Sequence, residues 1–315
     1  MKNNLKIVFI GTPDFGAIIL EGLIKNEYSP VLVITEPDKP MGRKQVPTPL
    51  PVKVSAEKYN LQISQPANIA NCQMQIKELD PDLIIVASYG QIIPKKILDI
   101  PKHGCLNVHP SLLPKHRGSS PIQTAILNGD EKTGLTIMLM DEKVDHGSIV
   151  AQEETTIETN DTNETLRGKM TERAIALLTK TIPRWVNKEI KAKPQVESLA
   201  TYTKTLSREN GKIDWDKTSQ QIDRLIRAYS PWPGAFTFWQ KNDKLMRIKI
   251  LKAKAVEIDS RAMIGQIVLS PSQKVAVKCK EGFLEIQELQ PEGKSPMAAE
   301  DFLRGNPQLI QAFFE

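Results

Sequence analysis

Residues 106–147 read LNVHPSLLPKHRGSSPIQTAILNGDEKTGLTIMLMDEKVDHG, a stretch in which two strand patterns enclose a polar loop and a helix pattern. The first strand pattern covers residues 104–108. The second covers residues 133–140, which are rich in β-branched and apolar side chains. Strands that alternate with helices are typical of α/β domains, so we expect both strands to lie in one parallel sheet.

The loop between these strands shows where a helix can begin. Pro110 and Pro114 exclude a helix between them, because proline lacks an amide hydrogen and restricts the residue before it. Ser120 is a suitable N-cap, Pro121 suits the first helical position, and Gln123 completes a capping-box pattern. The sequence therefore predicts a helix that begins at Pro121.

Three polar side chains fall near the ends of the two strands. Asn107 and His109 project to the same face, because successive side chains of a strand alternate. Asp145 lies in the turn DEKVDHG that follows the second strand. Open α/β sheets bind ligands at the carboxyl ends of their strands, so Asn107, His109 and Asp145 are candidate catalytic residues.

An amide, an imidazole and a carboxylate suit the transfer of an acyl group to an amine. The amide can donate to an oxygen that gains negative charge, and the imidazole can hold or transfer a proton near neutral pH. The carboxylate can orient the imidazole or accept a proton itself. No serine or cysteine stands beside them in a nucleophile elbow, which favours direct transfer over covalent catalysis.

Other interpretations of these residues remain open at this point. Asn107 and Asp145 are of types that often form turns, and His109 can be a structural hydrogen-bond donor. His103, Cys105 and His109 are near enough in sequence for a metal site, although their spacing does not match the usual paired-ligand patterns.

The composition is that of a globular protein long enough for two domains. The net charge of +5 permits a polyanionic partner without requiring one. No long apolar run occurs, and the N-terminal run ends early at GTPD, so we expect neither a membrane span nor a signal peptide. Three scattered cysteines indicate a reducing cytoplasm rather than a disulfide framework, and nothing demands more than a monomer.

The first part of the chain has the pattern of a doubly wound domain. Residues 5–35 predict strand, helix and strand, and DLIIVA at residues 82–87 predicts another buried strand. The segment SYGQIIP follows at the carboxyl end of that strand and is a candidate wall of a ligand pocket. Gly11 and Gly16 in GTPDFG invite a dinucleotide-binding interpretation, but the G-x-G-x-x-G pattern is absent.

Residues 36–53 form a long proline-rich segment without a strand or helix pattern, followed by a predicted helix over residues 54–60. The segment carries four basic residues, Lys39, Arg43, Lys44 and Lys53. Long loops of this kind are often functional, although composition alone is equally compatible with a solvated linker.

The rest of the chain predicts an edge strand over residues 149–157, a helix over residues 162–186 and a polar linker over residues 187–205. This gives a first domain of residues 1–186 and a second of residues 206–315. In the second, a helix over residues 219–229 precedes five short β-rich runs, which predict a small barrel before a last short helix. The runs cover residues 235–239, 246–254, 265–269, 275–279 and 282–287.

The basic charge concentrates in this second part. Residues 207–280 contain fifteen Lys and Arg against seven Asp and Glu, although the whole chain is only +5. The predicted strand 246–254 carries four of them, Arg247, Lys249, Lys252 and Lys254. A basic stripe on one face of a barrel is an electrostatic footprint for nucleic acid, and the alternative is a solvated strand face.

The motifs NVHPSLLPKHRGSSPIQ and DEKVDHG together resemble the signature of the folate-dependent formyltransferases, most closely of those that act on aminoacylated tRNA. The opening KIVFIGTPDFG and the later SPWPGAF extend the resemblance over nearly the whole chain. Ser119 and Ser120 stand where many members carry alanines. The resemblance implies a Rossmann-like, mostly parallel sheet domain followed by an OB-fold-like domain.

The resemblance also implies roles for particular residues. Asn107 and His109 would bind and polarise the formyl oxygen of 10-formyltetrahydrofolate, and Asp145 would manage the proton released by the attacking amine. The folate would lie across Ser111, Leu112, Leu113 and Pro114, with SYGQIIP as one wall of its pocket. Initiator methionyl-tRNA would contact Arg43, Lys44, Arg247 and Lys249, and no metal is implied.

Three other functions compete with this interpretation. A formyltransferase for a sugar amine and a formyl-folate hydrolase would share the signature, but the basic segments favour tRNA. A non-catalytic RNA-binding protein belongs to a different class, and the complete Asn, His and Asp set argues against it.

Overall fold

A computed structural model describes residues 5–41 and 46–315, which form two compact units. The first unit lies within Met1–Pro121, Lys132–Thr156 and Arg167–Thr203, and the second comprises Ile122–Glu131, Ile157–Leu166 and Lys204–Glu315. The first contains a mostly parallel sheet with helices and the second an antiparallel sheet, so the predicted fold class is confirmed. None of the helices in the described ranges has the length and apolar character that a membrane crossing requires.

The strands of the first unit are β1 (Ile7–Gly11), β2 (Leu32–Ile34), β3 (Lys39–Met41), β4 (Val46–Thr48), β5 (Ile63–Ser64), β6 (Leu83–Ala87), β7 (Cys105–His109), β8 (Lys132–Leu139) and β9 (Ser148–Thr156). Its helices are α1 (Asp14–Lys25), α2 (Pro51–Lys58), α3 (Gln73–Leu79) and α4 (Lys95–Leu98). Helix α5 (Pro121–Asn128) belongs mainly to the second unit, and α6 (Asn163–Val186) runs from the second unit into the first.

The main sheet of the first unit has the strand order β5-β2-β1-β6-β7-β8-β9. The first five strands in this order, from β5 to β7, are parallel to one another. The prediction that β7 and β8 are parallel is wrong, because Leu106 pairs with Leu139 and His109 with Thr136 in an antiparallel ladder. The chain leaves β7 at His109 and returns to the sheet from that same end.

The central strands are fully enclosed. Every residue of β1, β6 and β7 is buried, as expected for strands of a parallel sheet that is covered on both faces. Gly11 and Gly16 serve this packing, because a Cβ on either would lie 2.6 Å from the carbonyl oxygen of Ala87. These two glycines therefore let the turn from β1 to α1 approach the end of β6.

Two local features differ from the sequence patterns, and a third agrees with them. Helix α2 begins at Pro51 rather than at residue 54, because proline fits the first turn of a helix, where its missing N–H is not needed. Strands β3 and β4 form a short antiparallel pair within the segment 36–53. Helix α5 begins at Pro121 as predicted, but the backbone N–H of Ser120 donates to Thr203 Oγ1 at 3.1 Å.

Residues 187–203, predicted as part of a linker, belong to the first unit. Ile149 and Lys193 exchange two backbone hydrogen bonds of 2.8 Å, and Arg117 forms a parallel bridge with Tyr202. The division into a catalytic domain of residues 1–186, a linker of residues 187–205 and a second domain of residues 206–315 stays a proposal.

The second unit is built on an antiparallel sheet with the strand order β10-β11-β14-β13-β12. Its elements are α7 (Ser219–Ala228), β10 (Phe236–Lys241), β11 (Lys244–Val256), β12 (Ile267–Leu269), β13 (Val275–Lys278), β14 (Phe283–Pro291), β15 (Met297–Ala298) and α8 (Ala299–Arg304). The five strands of the main path correspond to the five predicted β-rich runs.

The last residues of the chain connect the two edges of this sheet. Phe238 of β10 and Glu315 exchange backbone hydrogen bonds of 3.2 and 2.9 Å, and Ile267 of β12 donates to Ala312 at 2.9 Å. Both edge strands therefore find backbone partners in the C-terminal segment, as closure into a barrel requires.

Candidate active site

A cavity of about 640 Å³ opens at the carboxyl ends of the parallel strands in the first unit. Its walls come mainly from residues 88–93 after β6, residues 107–110 at the end of β7, and residues 140–145 after β8. Thr12 lines it directly after β1. The strand order reverses between β1 and β6, so the cavity lies at the switch point where sheets of this kind bind ligands.

The structure brings Asn107, His109 and Asp145 together on the wall of this cavity. Asn107 Nδ2 donates to Asp145 Oδ1 at 3.4 Å, and His109 Nδ1 lies 3.5 Å from the same oxygen. The side chains of His109 and Asp145 are only 5% and 12% exposed. An amide, an imidazole and a carboxylate therefore share one largely buried corner of the cavity.

The surroundings of His109 define where its protons lie. His109 Nε2 is 3.0 Å from the carbonyl oxygen of His116. A carbonyl oxygen can only accept, so Nε2 carries a proton and donates it. Nδ1 then faces the carboxylate of Asp145, 3.5 Å from Oδ1.

Asp145 reaches this corner because the loop after β8 folds back over the face of the sheet that carries Asn107. Its φ is +48°, a left-handed conformation that aspartate tolerates better than most residues. Its second carboxylate oxygen, Oδ2, accepts a hydrogen bond of 2.7 Å from the backbone N–H of Gly118. Gly118 is required there, since its φ is +108° and a Cβ would lie 2.8 Å from Thr203 Oγ1.

Glu36, Lys39 and Tyr89 also line the cavity, although the sequence patterns gave none of them an individual role in the site. Glu36, which follows β2, accepts a hydrogen bond of 2.5 Å from Lys39 of β3. The hydroxyl of Tyr89 is buried and has no hydrogen-bond partner among the described residues. Burial raises the pKa of Tyr89, and the Glu36 carboxylate adds to the shift, so the hydroxyl remains a potential donor. The sequence signal for Tyr89 was its position in SYGQIIP, directly after β6.

Ser111, Leu112, Leu113 and Pro114 do not line this cavity. Ser111 and Leu113 are buried, and Ser111 Oγ donates to the carbonyl of Lys115 at 2.6 Å. Thr136 Oγ1 donates to the carbonyl of Ser111 and accepts from the N–H of Leu113, which ties this turn to β8. These contacts hold the segment in place beside the cavity, and its contact with a folate stays a prediction.

The residues predicted to contact tRNA lie in two places. Arg43 and Lys44 lie outside the described residues. Arg247 and Lys249 lie on β11, where the Arg247 guanidinium stacks 3.7 Å from the centre of the Phe236 ring. Lys252, on the same strand, is 3.2 Å from Glu288.

His103, Cys105 and His109 were considered above as ligands of a metal ion. Within residues 5–41 and 46–315, no group of three or more His, Cys, Asp or Glu side chains could hold a metal ion. Cys105 is buried, and burial raises the pKa of its thiol to about 12, so it stays protonated and unreactive at neutral pH.

Comparisons with known proteins show which family the chain resembles over most of its length. A family model described as formyl transferase matches residues 5–182, and one described as formyl transferase, C-terminal domain, matches residues 205–307. The methionyl-tRNA formyltransferase of Halalkalibacterium halodurans is 44% identical over 305 residues, which cover 96% of this chain and 95% of that protein.

Solved structures show the same fold at low sequence identity. The N-formyltransferase from Helicobacter canadensis, in complex with folinic acid and dTDP-3-aminofucose, has a TM-score of 0.65 at 21% identity over 90% of this chain and 98% of that one. HypX from Aquifex aeolicus, in complex with tetrahydrofolic acid, has a TM-score of 0.64 at 16% identity over 95% of this chain. This chain spans about half of HypX, 47% of its length.

Proposed function

The chain belongs to the formyl transferase family, and from this premise we propose that it transfers the formyl group of 10-formyltetrahydrofolate to the amino group of methionyl initiator tRNA, for translation initiation. The name of the relative that is 44% identical over nearly its full length supports the choice of acceptor. The observation that carries the proposal is the convergence of Asn107, His109 and Asp145 on one cavity.

The cavity fits a folate cosubstrate. Its volume of about 640 Å³ lies in the range of small-molecule sites, and its walls combine apolar side chains with a few polar groups. Ile93 and Met140 offer apolar surface, while the Tyr89 hydroxyl and the Glu36 carboxylate can meet the polar edge of a pterin. The bound cosubstrate would supply the electrophilic formyl carbon. Ser111, Leu112, Leu113 and Pro114, which follow the cavity wall at Pro110, are the proposed contacts for the folate beyond the cavity.

The three polar side chains then divide the chemistry. Asn107 Nδ2 can donate to the formyl oxygen as that oxygen gains negative charge. Asp145 accepts the proton that the amine must lose as its nitrogen forms a bond to the formyl carbon. The bond from the formyl carbon to N10 of the folate then breaks, and Asp145 can return the proton to N10, so that tetrahydrofolate leaves as a neutral amine. His109 donates from Nε2 to the carbonyl of His116, so its Nδ1 faces Asp145 Oδ1 at 3.5 Å, where it helps to orient the carboxylate.

The tRNA would be held by basic residues away from the cavity. In the second unit, Arg247 and Lys249 are the candidates on β11 for contact with phosphates. Arg43 and Lys44 are the corresponding candidates in the segment 36–53, for the acceptor end. Translation initiation places the reaction in the cytoplasm, and we propose that the protein acts there as a monomer.

An acceptor-competition assay tests the function. The protein is incubated with 10-formyltetrahydrofolate labelled in the formyl carbon and, separately, with initiator methionyl-tRNA, elongator methionyl-tRNA, a nucleotide-linked amino sugar, or no acceptor. We expect label on the methionyl amine of the initiator tRNA. Label on the sugar alone would indicate a sugar formyltransferase, and formate release without an acceptor a hydrolase; either result contradicts the proposal.

A further inference from the structure

Arg117 is an almost completely buried arginine whose side chain is 1% exposed. Its Nε and Nη2 donate to Gln195 Oε1 at 3.1 and 2.9 Å. Its Nη1 and Nη2 donate to the two carboxylate oxygens of Glu197 at 3.0 and 2.8 Å, and Nη1 also donates to the Tyr202 hydroxyl at 2.9 Å. All five N–H donors of the guanidinium thus have an acceptor, which a buried cation requires.

These four residues, Arg117, Gln195, Glu197 and Tyr202, form what we call the Arg117 clamp. Glu197 stays ionised within it, because the hydrogen bond from Arg117 lowers the pKa of Glu197. The Tyr202 hydroxyl also donates to Glu197 Oε1 at 3.3 Å, which orients the carboxylate. The clamp is therefore a fully bonded polar cluster rather than an isolated ion pair.

Gln195 connects the clamp to the loop that carries Asp145. Since a guanidinium only donates, the Oε1 of Gln195 must face Arg117, and its Nε2 must face the opposite way. Nε2 donates to the carbonyl oxygen of Asp145 at 2.8 Å and to that of Gly147 at 2.7 Å. Arg117 thus fixes the orientation in which Gln195 holds this loop.

The backbone that Gln195 holds, that of Asp145, has an unfavourable conformation. Asp145 has a φ of +48°, in the left-handed region that residues other than glycine adopt only rarely. Its carboxylate Oδ2 also accepts from the N–H of Gly118, the residue next to Arg117. The backbone of Asp145 is therefore held by Gln195, which Arg117 orients, and its carboxylate is held by the residue next to Arg117.

We propose that Arg117 and Gln195 are positioning residues that keep the Asp145 carboxylate within reach of Asn107 and His109. The inference rests on the proposed function, because it assigns Asp145 the proton that leaves the amine. The inference assigns a positioning role to residues within the segment 195–202, which the sequence patterns predict to be part of a linker.

The variant Gln195→Glu tests this inference. A glutamate can still accept from Arg117 but cannot donate to the carbonyls of Asp145 and Gly147. We expect kcat to fall about 10- to 100-fold, since displacing a reacting group by about 1 Å costs on the order of 100-fold. The KM for 10-formyltetrahydrofolate should change less than about threefold, and the pH dependence of kcat should shift, because the contact between Asp145 and His109 is disturbed.

Two other variants separate positioning from general stability. Gln308→Glu makes the same change of charge at an exposed position and should leave kcat unchanged. Tyr202→Phe removes one acceptor of Arg117 but keeps both bonds of Gln195 to the loop, so it should lower the melting temperature while kcat stays within about threefold. Should Gln195→Glu fail to fold, Arg117→Lys becomes the positioning variant, and the same loss of kcat is expected.

The outcomes distinguish the inference from the proposed function. If the unaltered protein transfers no formyl group to initiator methionyl-tRNA, the proposed function is wrong. If it does, and the folded positioning variant keeps kcat within twofold with an unchanged pH profile, the inference is overturned. An equal loss of kcat in Tyr202→Phe would also overturn it, because the effect would then be loss of stability rather than of the Gln195 bonds.

Discussion

Asp145 shows how the site depends on single contacts at the residue scale. Its Oδ1 lies near Asn107 Nδ2 and His109 Nδ1, and its Oδ2 accepts from Gly118. The carboxylate is thus held on both oxygens before any substrate arrives. A carboxylate held in this way needs to move little when the amine approaches. This small reorganisation favours proton transfer from the amine to Asp145.

Asn107→Ala tests the amide donor at this scale. We expect turnover to fall by about two to three orders of magnitude, as the loss of one donor to a developing oxyanion does elsewhere. Steady-state kinetics with initiator methionyl-tRNA measures this, and the affinity for folinic acid should change little. The exposed Asn71→Ala is the matched control. Near-normal turnover in Asn107→Ala would remove the amide from its assigned role.

Strand β11 illustrates what happens at the scale of an element. Ile248, Ile250 and Ala253 pack on the core, although the spacing between the last two breaks strict alternation. The register against β14 shifts on either side of Lys252, and this bulge restores alternation beyond it. Consequently Arg247, Lys249, Lys252 and Lys254 lie together on the face of β11 away from that core.

The basic residues of β11 are not equivalent. The Arg247 guanidinium already stacks on the Phe236 ring, and Lys252 forms an ion pair with Glu288. Lys249 is the better candidate for a phosphate, so Lys249→Glu should weaken tRNA binding and make the dependence of log Kd on log salt shallower by about one unit.

Filter binding over a salt series measures the effect of Lys249→Glu. Folate affinity should be unchanged, because the cavity proposed to bind folate belongs to the first unit. Lys77→Glu, an exposed residue of α3 in the first unit, is the control with the same change of charge. Equal weakening in both variants would show that total charge matters rather than this face of β11.

At the scale of the whole molecule, each unit has its own buried thiol. Cys105 lies in the first unit and Cys279 in the second, and burial raises the pKa of each thiol to about 12. The folded protein therefore holds these protons more tightly than the unfolded chain. The resulting stability is fully present below the unfolded thiol pKa and is lost as the pH rises towards 12.

This linkage predicts a loss of stability at high pH. With an unfolded thiol pKa of roughly 8.5, each thiol should lower the free energy of unfolding by about 2 kcal/mol between pH 7 and pH 10. In Cys105→Ala and in Cys279→Ala, the corresponding part of the loss should disappear. Urea unfolding of all three proteins at both pH values measures it. Identical losses in the variants and the unaltered protein would contradict the burial argument.

The sequence by itself determined the order of the main strands and helices, because each rests on a local pattern, whereas the short pair β3 and β4 showed none. The continuous apolar runs of β1 and β6 required burial on both faces, and Pro121 set the start of α5. Asn107 and His109 could be grouped because they are two positions apart on one strand. The family signature further indicated that Asp145 belongs with them.

Only the tertiary structure decided which distant groups meet. It made β8 antiparallel to β7, carried Asp145 back over the sheet, and joined Arg117 to Gln195 across 78 positions of the chain. Such pairings depend on how whole elements pack and on the cost of closing long loops, neither of which a local pattern contains. A residue such as Gln195, placed in a polar stretch without periodicity, therefore shows its partners only when the chain is folded.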